Sequence, residues 1–236
     1  MAHNYLGNGS SIPSAVGQLM NLRYLNLSDN YYSGKIPIEI SRLTRLVVLD
    51  ISRSYSFTEE RRETPNLHML VENLTELREL YLDYVQISAG GSEWCQAISS
   101  SLPNLRMLSL FNCNLSSPFH DSLAKLQSLD VIQLGWNNIS APVPTFFANI
   151  SSLTSLSLAY CNLQGTFPKE IFHLPSLRKI NLSGNGNLYG SLPEFPKNGS
   201  LHDLDLRGTN FSGKLPNSIG NLKMLSTIDI IVCNFT

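Results

Sequence analysis

Four cysteines carry the most distinctive side-chain chemistry in this 236-residue chain: Cys95, Cys113, Cys161 and Cys233. Thiols form disulfides or bind zinc, and a zinc site usually shows closely spaced pairs such as C-x-x-C. No such pair occurs, and the last two spacings are 48 and 72 residues, both multiples of 24. The cysteines therefore indicate a repeated structural unit before they indicate a reactive centre.

Catalytic chemistry has little support elsewhere in the sequence. The five histidines fall at unrelated positions of the 24-residue spacing, and no serine lies in a nucleophile-elbow motif. Asp205 and Asp229 are expected on neighbouring strands, but we expect no cleft that would desolvate this carboxylate pair and shift its pKa values. The sequence predicts no enzyme activity, no cofactor and no bound metal.

Composition excludes several further classes of protein. Seventeen basic and eighteen acidic residues leave a net charge of −1, whereas a nucleic-acid binder needs a clustered basic face. A hydrophobic share of 42% argues against disorder. No run approaches the ~18 apolar residues of a membrane-spanning helix, and the first residues do not have the pattern of a secretory signal.

The pattern Leu-x-x-Leu-x-Leu repeats along the chain and accounts for many of its 38 leucines. Successive units begin 24, 31 and 28 residues apart and then five times 24 residues apart. Each unit is expected to form one short parallel strand whose leucines stack on those of the neighbouring coil. The first leucines are Leu22, Leu46, Leu77, Leu105, Leu129, Leu153, Leu177, Leu201 and Leu225.

The turn after each strand explains three of the cysteines. Eight residues after the first leucines, the sequence has mostly Asn, Cys or Thr, including Cys113, Cys161 and Cys233. An amide at this position can bond backbone groups that the turn leaves unpaired, and Cys or Thr is small enough to fit. Strands ~4.8 Å apart would separate these cysteines by roughly 10–15 Å, too far for a disulfide or a shared metal. We expect three buried thiols, and for Cys95, in an irregular insertion beside Trp94, the sequence suggests no partner.

A second motif, Leu-x-Gly-x-Ile-Pro, follows most turns and is typical of the plant-type leucine-rich repeat. It is clearest at 163–168, 188–193 and 211–216, and helical turns such as 217–222 are expected after it. The predicted fold is an α/β solenoid, a right-handed coil with a parallel concave β-sheet and a short 3-10 or helical convex side. We expect one solenoid over residues 1–236, with about ten repeats, longer irregular repeats at 46–76 and 77–104, and no terminal caps.

Several segments resemble plant receptor-like proteins of the Verticillium wilt resistance type. They are 65–83, 93–97, 192–200 and 211–214, and both irregular gaps fall where that family carries them. The resemblance implies a cell-surface immune receptor ectodomain that binds a microbial or endogenous ligand and signals through a co-receptor or adaptor kinase. Such receptors also have a signal peptide, cysteine-paired caps and a transmembrane helix. The sequence shows none of these, so we expect this chain to be a fragment.

Two alternatives stay open beside the receptor. Polygalacturonase-inhibiting proteins share this repeat and are soluble inhibitors of microbial wall-degrading enzymes, but they have regular units and paired terminal cysteines. The missing cysteine pairs and the two irregular gaps favour the receptor. The third possibility is a nonfunctional, truncated gene remnant.

Aromatic side chains gather on the predicted concave face, where a protein or peptide ligand would bind. In each unit the third, fifth, seventh and eighth residues are expected to point outward, a set that includes Ser109, Gly135, Ala159 and Ser183. Large exposed aromatics are enriched at interfaces, although rings on neighbouring strands also simply pack on one another. The predicted ligand-binding residues are Tyr81, Asp83, Tyr84, Phe111, Gln133, Trp136 and Tyr160.

A smaller group of charges lies farther along the same face. Asp203, Asp205 and Asp229 fall close to Lys179 and Arg207 in the predicted register. Mixed signs favour a solvated charge patch over a cation site.

Ten Asn-x-Ser/Thr sequons occur, where about four would arise by chance from 22 Asn and 41 Ser plus Thr. The excess fits a secreted glycoprotein surface. Two of the sequons, at Asn8 and Asn234, are not among the predicted glycosylation sites. The predicted sites are Asn26, Asn73, Asn114, Asn138, Asn149, Asn181, Asn198 and Asn210.

Glycans at Asn26 and Asn181 are expected to border the concave face and leave a bare window over the second to sixth units, where the aromatics lie. Glycopeptide mapping of plant-expressed protein should find both asparagines modified. Unmodified Asn26 and Asn181 would contradict this prediction.

Overall fold

Short parallel strands dominate the computed structural model, which describes residues 11–30, 32–53, 62–64, 66–87, 89–116, 118–197 and 199–236. The strands of these residues are β1 (Tyr24–Asn26), β2 (Val48–Asp50), β3 (Arg62–Glu63), β4 (Glu79–Tyr81), β5 (Val85–Gln86), β6 (Met107–Ser109), β7 (Val131–Gln133), β8 (Ser155–Ser157), β9 (Gln164–Thr166), β10 (Lys179–Asn181), β11 (Asn187–Gly190), β12 (Asp203–Asp205), β13 (Asn210–Gly213), β14 (Thr227–Asp229) and β15 (Asn234–Phe235).

Nine of these strands form the concave sheet, in the order β1-β2-β4-β6-β7-β8-β10-β12-β14. Each begins two residues after the first leucine of its unit, and equivalent residues pair across the sheet, for example Leu80 with Leu108. Within this sheet, the central side chain of every strand from β1 to β12 is buried, because a period of two sends it inward. Ile228 of β14, the last strand of this sheet, is 43% exposed. The predicted solenoid with a parallel concave sheet is confirmed.

The glycine-proline motif forms a second set of short strands. Strands β9, β11, β13 and β15 lie side by side in a smaller parallel sheet, and β3 pairs with β5 in a third. Proline ends the extended stretch because it has no backbone N–H to donate. Five-residue 3-10 helices then follow at Ser14–Gln18, Ile38–Arg42, Asp121–Lys125, Thr145–Asn149, Lys169–His173 and Asn217–Asn221.

The two long repeats replace this arrangement with α-helices on the convex side. The repeat at 46–76 contains α1 (Leu67–Val71), and the repeat at 77–104 contains α2 (Glu93–Ser101). Asn66 caps α1 by accepting a hydrogen bond from the Met69 N–H at 3.1 Å. Trp94 of α2 is fully buried, so its helix is held by the core of the coil.

A buried asparagine ties each of two turns to the preceding coil. Asn137 is 3% exposed, and its Oδ1 accepts hydrogen bonds from the N–H groups of Cys113 and Leu115, each at 2.9 Å. Its Nδ2 donates to the carbonyls of Leu110 at 2.8 Å and Leu134 at 2.7 Å. Asn185, two coils further on, repeats this pattern with the N–H groups of Cys161 and Leu163.

Cysteines occupy the same position in three other coils. The Sγ atoms of Cys113, Cys161 and Cys233 each donate to a leucine carbonyl of an earlier coil at 3.0 Å. Cys113 and Cys161 are buried as predicted, and burial raises the pKa of the Cys161 thiol to about 11, so it stays protonated. The prediction was wrong for Cys233, which is only half-buried because its coil is followed by no further strand of the sheet.

Cys95 does have a contact that the sequence did not indicate. It lies fully buried in α2, and its Sγ accepts a hydrogen bond from the His120 N–H at 3.4 Å. Burial raises the pKa of this thiol to about 12, which makes it a poor nucleophile.

Replacing Asn137 by alanine should cost about 3–5 kcal/mol of unfolding free energy, because the buried N–H groups of Cys113 and Leu115 and the Leu110 carbonyl lose their side-chain partner. The matched control is Asn104→Ala, which removes one exposed hydrogen bond to the Thr75 carbonyl and should cost less than about 1 kcal/mol. Guanidinium unfolding measures both. Equal losses in the two variants would contradict the role assigned to Asn137.

Candidate functional site

Four aromatic rings form a continuous row along the concave face, which we call the aromatic ladder: Tyr84, Phe111, Trp136 and Tyr160. Ring centroids are 5.5 Å apart between Tyr84 and Phe111, 6.5 Å between Phe111 and Trp136, and 4.7 Å between Trp136 and Tyr160. Each ring comes from a different coil, so the stack of strands sets the spacing. The structure brings together four of the seven predicted ligand-binding residues in this row.

The rings of the ladder contact one another, and part of their surface is still exposed and available to a ligand. Trp136 is 54% exposed and Tyr160 is 43% exposed, whereas Tyr84 and Phe111 are half-buried. The contact between rings fixes their orientation, which lowers the entropy that binding would cost.

The backbone beneath three of the rings adopts a left-handed conformation. Tyr84, Trp136 and Tyr160 have φ angles of 62°, 61° and 54°. The same position in later coils carries Gly184 and Gly208, for which this conformation is unstrained. Bulky residues pay roughly 1–2 kcal/mol there. Asp29, Asn112 and Val232 have the same conformation at this position of other coils, so it is a property of the repeated turn.

Two glycines form the floor on which the rings lie. A Cβ at Gly135 would come within 3.2 Å of the Phe111 ring. A Cβ at Gly184 would come within 2.4 Å of the Tyr160 ring. These residues therefore leave the space that the rings occupy.

The predicted outward alternation was wrong at four positions. Ser109, Gly135, Ala159 and Ser183 are buried. Gly135, Ala159 and Ser183 are the seventh residues of their units and lie beyond the strand, in the turn. The alternation of side chains along a strand does not apply there. Ser109 lies within β6 but is covered because its Oγ donates a hydrogen bond to Asp83 Oδ1 at 2.6 Å.

Asp83 and Tyr81 border the ladder. Asp83 Oδ1 also accepts the Phe111 N–H at 2.8 Å, so this carboxylate holds the second rung in place. Burial raises the pKa of Asp83, and its two hydrogen bonds partly offset that effect. Tyr81 donates a hydrogen bond from its hydroxyl to Glu79 Oε2 at 3.0 Å. The pKa of Tyr81 is raised to about 12, chiefly by burial and then by this hydrogen bond and the negative charges of Glu79, Asp50 and Asp83.

Gln133 lies half-buried at the end of β7, paired with Ser109 and Ser157 of the neighbouring strands. It therefore occupies the polar floor of the concave sheet beside the ladder.

The second charge group forms exposed ion pairs. Lys179 Nζ lies 3.0 Å from Asp203 Oδ2, and Arg207 lies 3.7 Å from Asp229 and 4.0 Å from Asp205. The Lys179 hydrogen bond lowers the pKa of Asp203. This geometry agrees with a solvated charge patch, and the described residues contain no group of three or more His, Cys, Asp or Glu arranged to hold a metal ion.

The sequons differ in accessibility. Asn26 is exposed and Asn181 is half-buried, and both accept a hydrogen bond from the serine hydroxyl two residues later, at 2.7 Å. Asn8 and Asn198 lie outside the described residues. The others are exposed: Asn73, Asn114, Asn138, Asn149, Asn210 and Asn234.

Family comparisons agree with this architecture. One family model, described as leucine rich repeat, matches residues 127–186, and a second of the same description matches 21–43, 104–126 and 200–222. Together they cover more than half of the chain. The chain belongs to the leucine-rich-repeat family.

Relatives of this leucine-rich-repeat chain include plant receptor-like proteins. Receptor-like protein 6 of Arabidopsis thaliana is 35% identical over 155 residues, covering 64% of this chain and 15% of the relative. Receptor-like protein EIX1 of Solanum lycopersicum is 34% identical over 140 residues, covering 56% of this chain and 12% of the relative. The predicted receptor-like family is confirmed, and the Verticillium wilt subtype stays a prediction. This chain matches only a small part of each relative.

Solved structures of plant receptors have the same fold. The Arabidopsis receptor kinase HAESA, in complex with the peptide hormone IDA and the co-receptor SERK1, aligns with a TM-score of 0.84 and 26% identity. The alignment covers 96% of this chain and 36% of that structure. Within the described residues, no helix is both long and apolar enough to cross a bilayer.

Gly184→Ala should displace the Tyr160 ring and break its contact with Trp136, because the new Cβ would overlap the ring. Gly208→Ala is the matched control, since Gly208 has a similar positive φ of 66° but no ring beside it. Near-ultraviolet circular dichroism should change in Gly184→Ala and match wild type in Gly208→Ala. Identical spectra for the two variants would show that the ladder does not rest on Gly184.

Proposed function

We propose that this chain is the ligand-recognition part of a plant cell-surface receptor-like protein in defence signalling. It binds a peptide or protein ligand on the concave face, through the aromatic ladder. The receptor-like relatives and the peptide-bound HAESA structure support the receptor class. The single observation that carries the concave-face site is the row of contacting rings, of which Trp136 and Tyr160 are exposed.

The chemistry of the face defines the kind of ligand. Trp136 and Tyr160 present apolar area with few rotatable bonds, which suits aliphatic or aromatic side chains of a partner. The pKa of Tyr81 is raised in part by the negative charges of Asp50, Glu79 and Asp83. These three carboxylates make the surface around Tyr81 acidic. A segment that combines an apolar anchor with a basic side chain is therefore the best match.

Signalling requires partners beyond the ligand. This chain aligns with 15% and 12% of the two receptor-like relatives. We therefore assign contact with a co-receptor or adaptor kinase to receptor segments outside this chain. The assembly is then at the cell surface, and membrane attachment also belongs to those other segments.

A peptide selection tests the site. Peptides from a random phage-displayed library that bind the full chain should bind Tyr160→Ala at least tenfold more weakly, because the variant loses an exposed rung of the ladder. Tyr189→Ala is the matched control, since Tyr189 is similarly exposed, at 48%, but lies on β11 of the smaller sheet. Its affinity should equal that of wild type.

Equal losses in the two tyrosine variants would contradict the concave-face site. Inhibition of a fungal polygalacturonase by the chain, unchanged in Tyr160→Ala, would favour the inhibitor class instead of the receptor.

A further inference from the structure

Three neighbouring coils carry no charged side chain on the concave face. These coils begin at Leu105, Leu129 and Leu153, and their strands are β6, β7 and β8. The third, fifth, seventh and eighth residues of each coil are all neutral, and the structure describes every one of them. We call this part of the concave face the neutral window. It contains three rungs of the aromatic ladder: Phe111, Trp136 and Tyr160.

Charged side chains lie on both sides of the window. The preceding coil carries Glu79 and Asp83. The following coil carries Lys179, whose Nζ lies 3.0 Å from Asp203 Oδ2 of the coil after it. The window is therefore a neutral stretch between two charged stretches of the same sheet.

Two charged residues closer to the window face another surface. Arg106 and Asp130 are the residues just before β6 and β7. They line a depression together with Gln127 and Ser152 of the loops that lead into the strands. Their charges therefore lie at the border of the window.

This arrangement is typical of the centre of a protein interface. Interface cores are depleted of charged residues and enriched in aromatic residues and Met, whereas the rim is polar. Met107 and Val131 add apolar side chains at the start of β6 and β7, at the other end of the strands from the ladder. Both are half-buried, so part of each side chain is open to a ligand.

Two polar side chains lie between these apolar residues and the ladder. Gln133 and Ser157 are half-buried at the ends of β7 and β8. Among the residues that the structure describes, neither side chain has a hydrogen-bond partner. Because an amide and a hydroxyl both donate and accept, they can pair with the backbone N–H and C=O groups of a segment that crosses the strands.

We propose that the neutral window binds an uncharged, extended segment of three or four residues with apolar side chains. This inference rests on the proposed function and specifies the ligand of the same site. Three strands ~4.8 Å apart extend over roughly 10–14 Å, which three or four extended residues span at ~3.3–3.6 Å each.

The charge of the ligand follows from the same geometry. A charged side chain in the bound segment would lose its hydration and find no opposite charge in the window. The basic side chain of the proposed ligand therefore lies outside this segment, on the side of Glu79 and Asp83.

A charge scan of a bound peptide tests the inference from the ligand side. A peptide selected against the full chain from the random phage-displayed library is resynthesised with Lys, and separately with Asp, at each position. Three or four consecutive positions should lose at least tenfold in affinity with either charge, because both charges are buried there without a partner. The absence of such a run, or a run in which one of the two charges is tolerated, would overturn the inference.

Variants of the window test it from the side of the receptor. Val131→Lys should weaken binding of the same peptide at least tenfold, because it places a charge in the window. Val48→Lys is the matched control, since Val48 is also a half-buried valine at the third position of its unit but lies on β2, outside the window. Its affinity should stay within threefold of wild type. Ser155→Lys, at the same position of β8, is a second variant that keeps the test valid if Val131→Lys does not fold.

The variants also separate this inference from the proposed function. Weaker binding in Tyr160→Ala with wild-type affinity in Val131→Lys and Ser155→Lys would overturn the neutral window and keep the concave-face site. Wild-type affinity in all three variants would contradict both. A loss in Val48→Lys equal to that in Val131→Lys would overturn the inference, since the effect would not be confined to the window.

Discussion

The rest of the structure depends on the hydrogen bonds of the buried turn side chains. A strand of three residues ends abruptly, and the following turn leaves backbone N–H and carbonyl groups inside the coil. Asn137 and Asn185 satisfy these groups in their own coil and in the preceding one. Cys113, Cys161, Thr209 and Cys233 occupy the same position in other coils with smaller donors. Because each of these asparagines and cysteines bridges two coils, it fixes both their separation and their register.

The concave face follows from this constraint. A turn closed in this way places the residue just before the buried side chain in the left-handed region, as at Trp136 and Tyr160. Tyr84, which precedes Val85, adopts the same conformation. In a regular sheet the coils are ~4.8 Å apart, close to the 4.7 Å between the Trp136 and Tyr160 rings. The ladder is thus a consequence of repeating one turn, with aromatic residues placed where glycine would be easier to accommodate.

Much of the fold could be predicted from the sequence because one period repeats. The leucine spacing predicted the centres of the concave strands, and the turn position predicted the environment of Cys113 and Cys161. The chain segment after each strand was less predictable, because strand alternation says nothing about a turn. The burial of Gly135, Ala159 and Ser183 and the positive φ of Tyr160 therefore appear only in three dimensions.

The structure of the two insertions could not be predicted from the repeat period. Their lengths indicated irregular repeats, but not that α1 and α2 would flank a cleft or that the Thr64 hydroxyl would be buried without a partner. The aromatic residues of the candidate site could be named from their positions. Their contacts, and the role of Asp83 in holding the Phe111 backbone, depend on pairing between coils that are 24 to 28 residues apart.

Amide hydrogen exchange of the full chain, measured by NMR, tests the central claim most directly. If the turn asparagines hold the coils together, the N–H groups of Cys113, Leu115, Cys161 and Leu163 exchange as slowly as those at the strand centres, such as Leu108 and Ile132. Exchange of these four amides at the rate of exposed loop residues, with the strand centres still protected, would contradict the account.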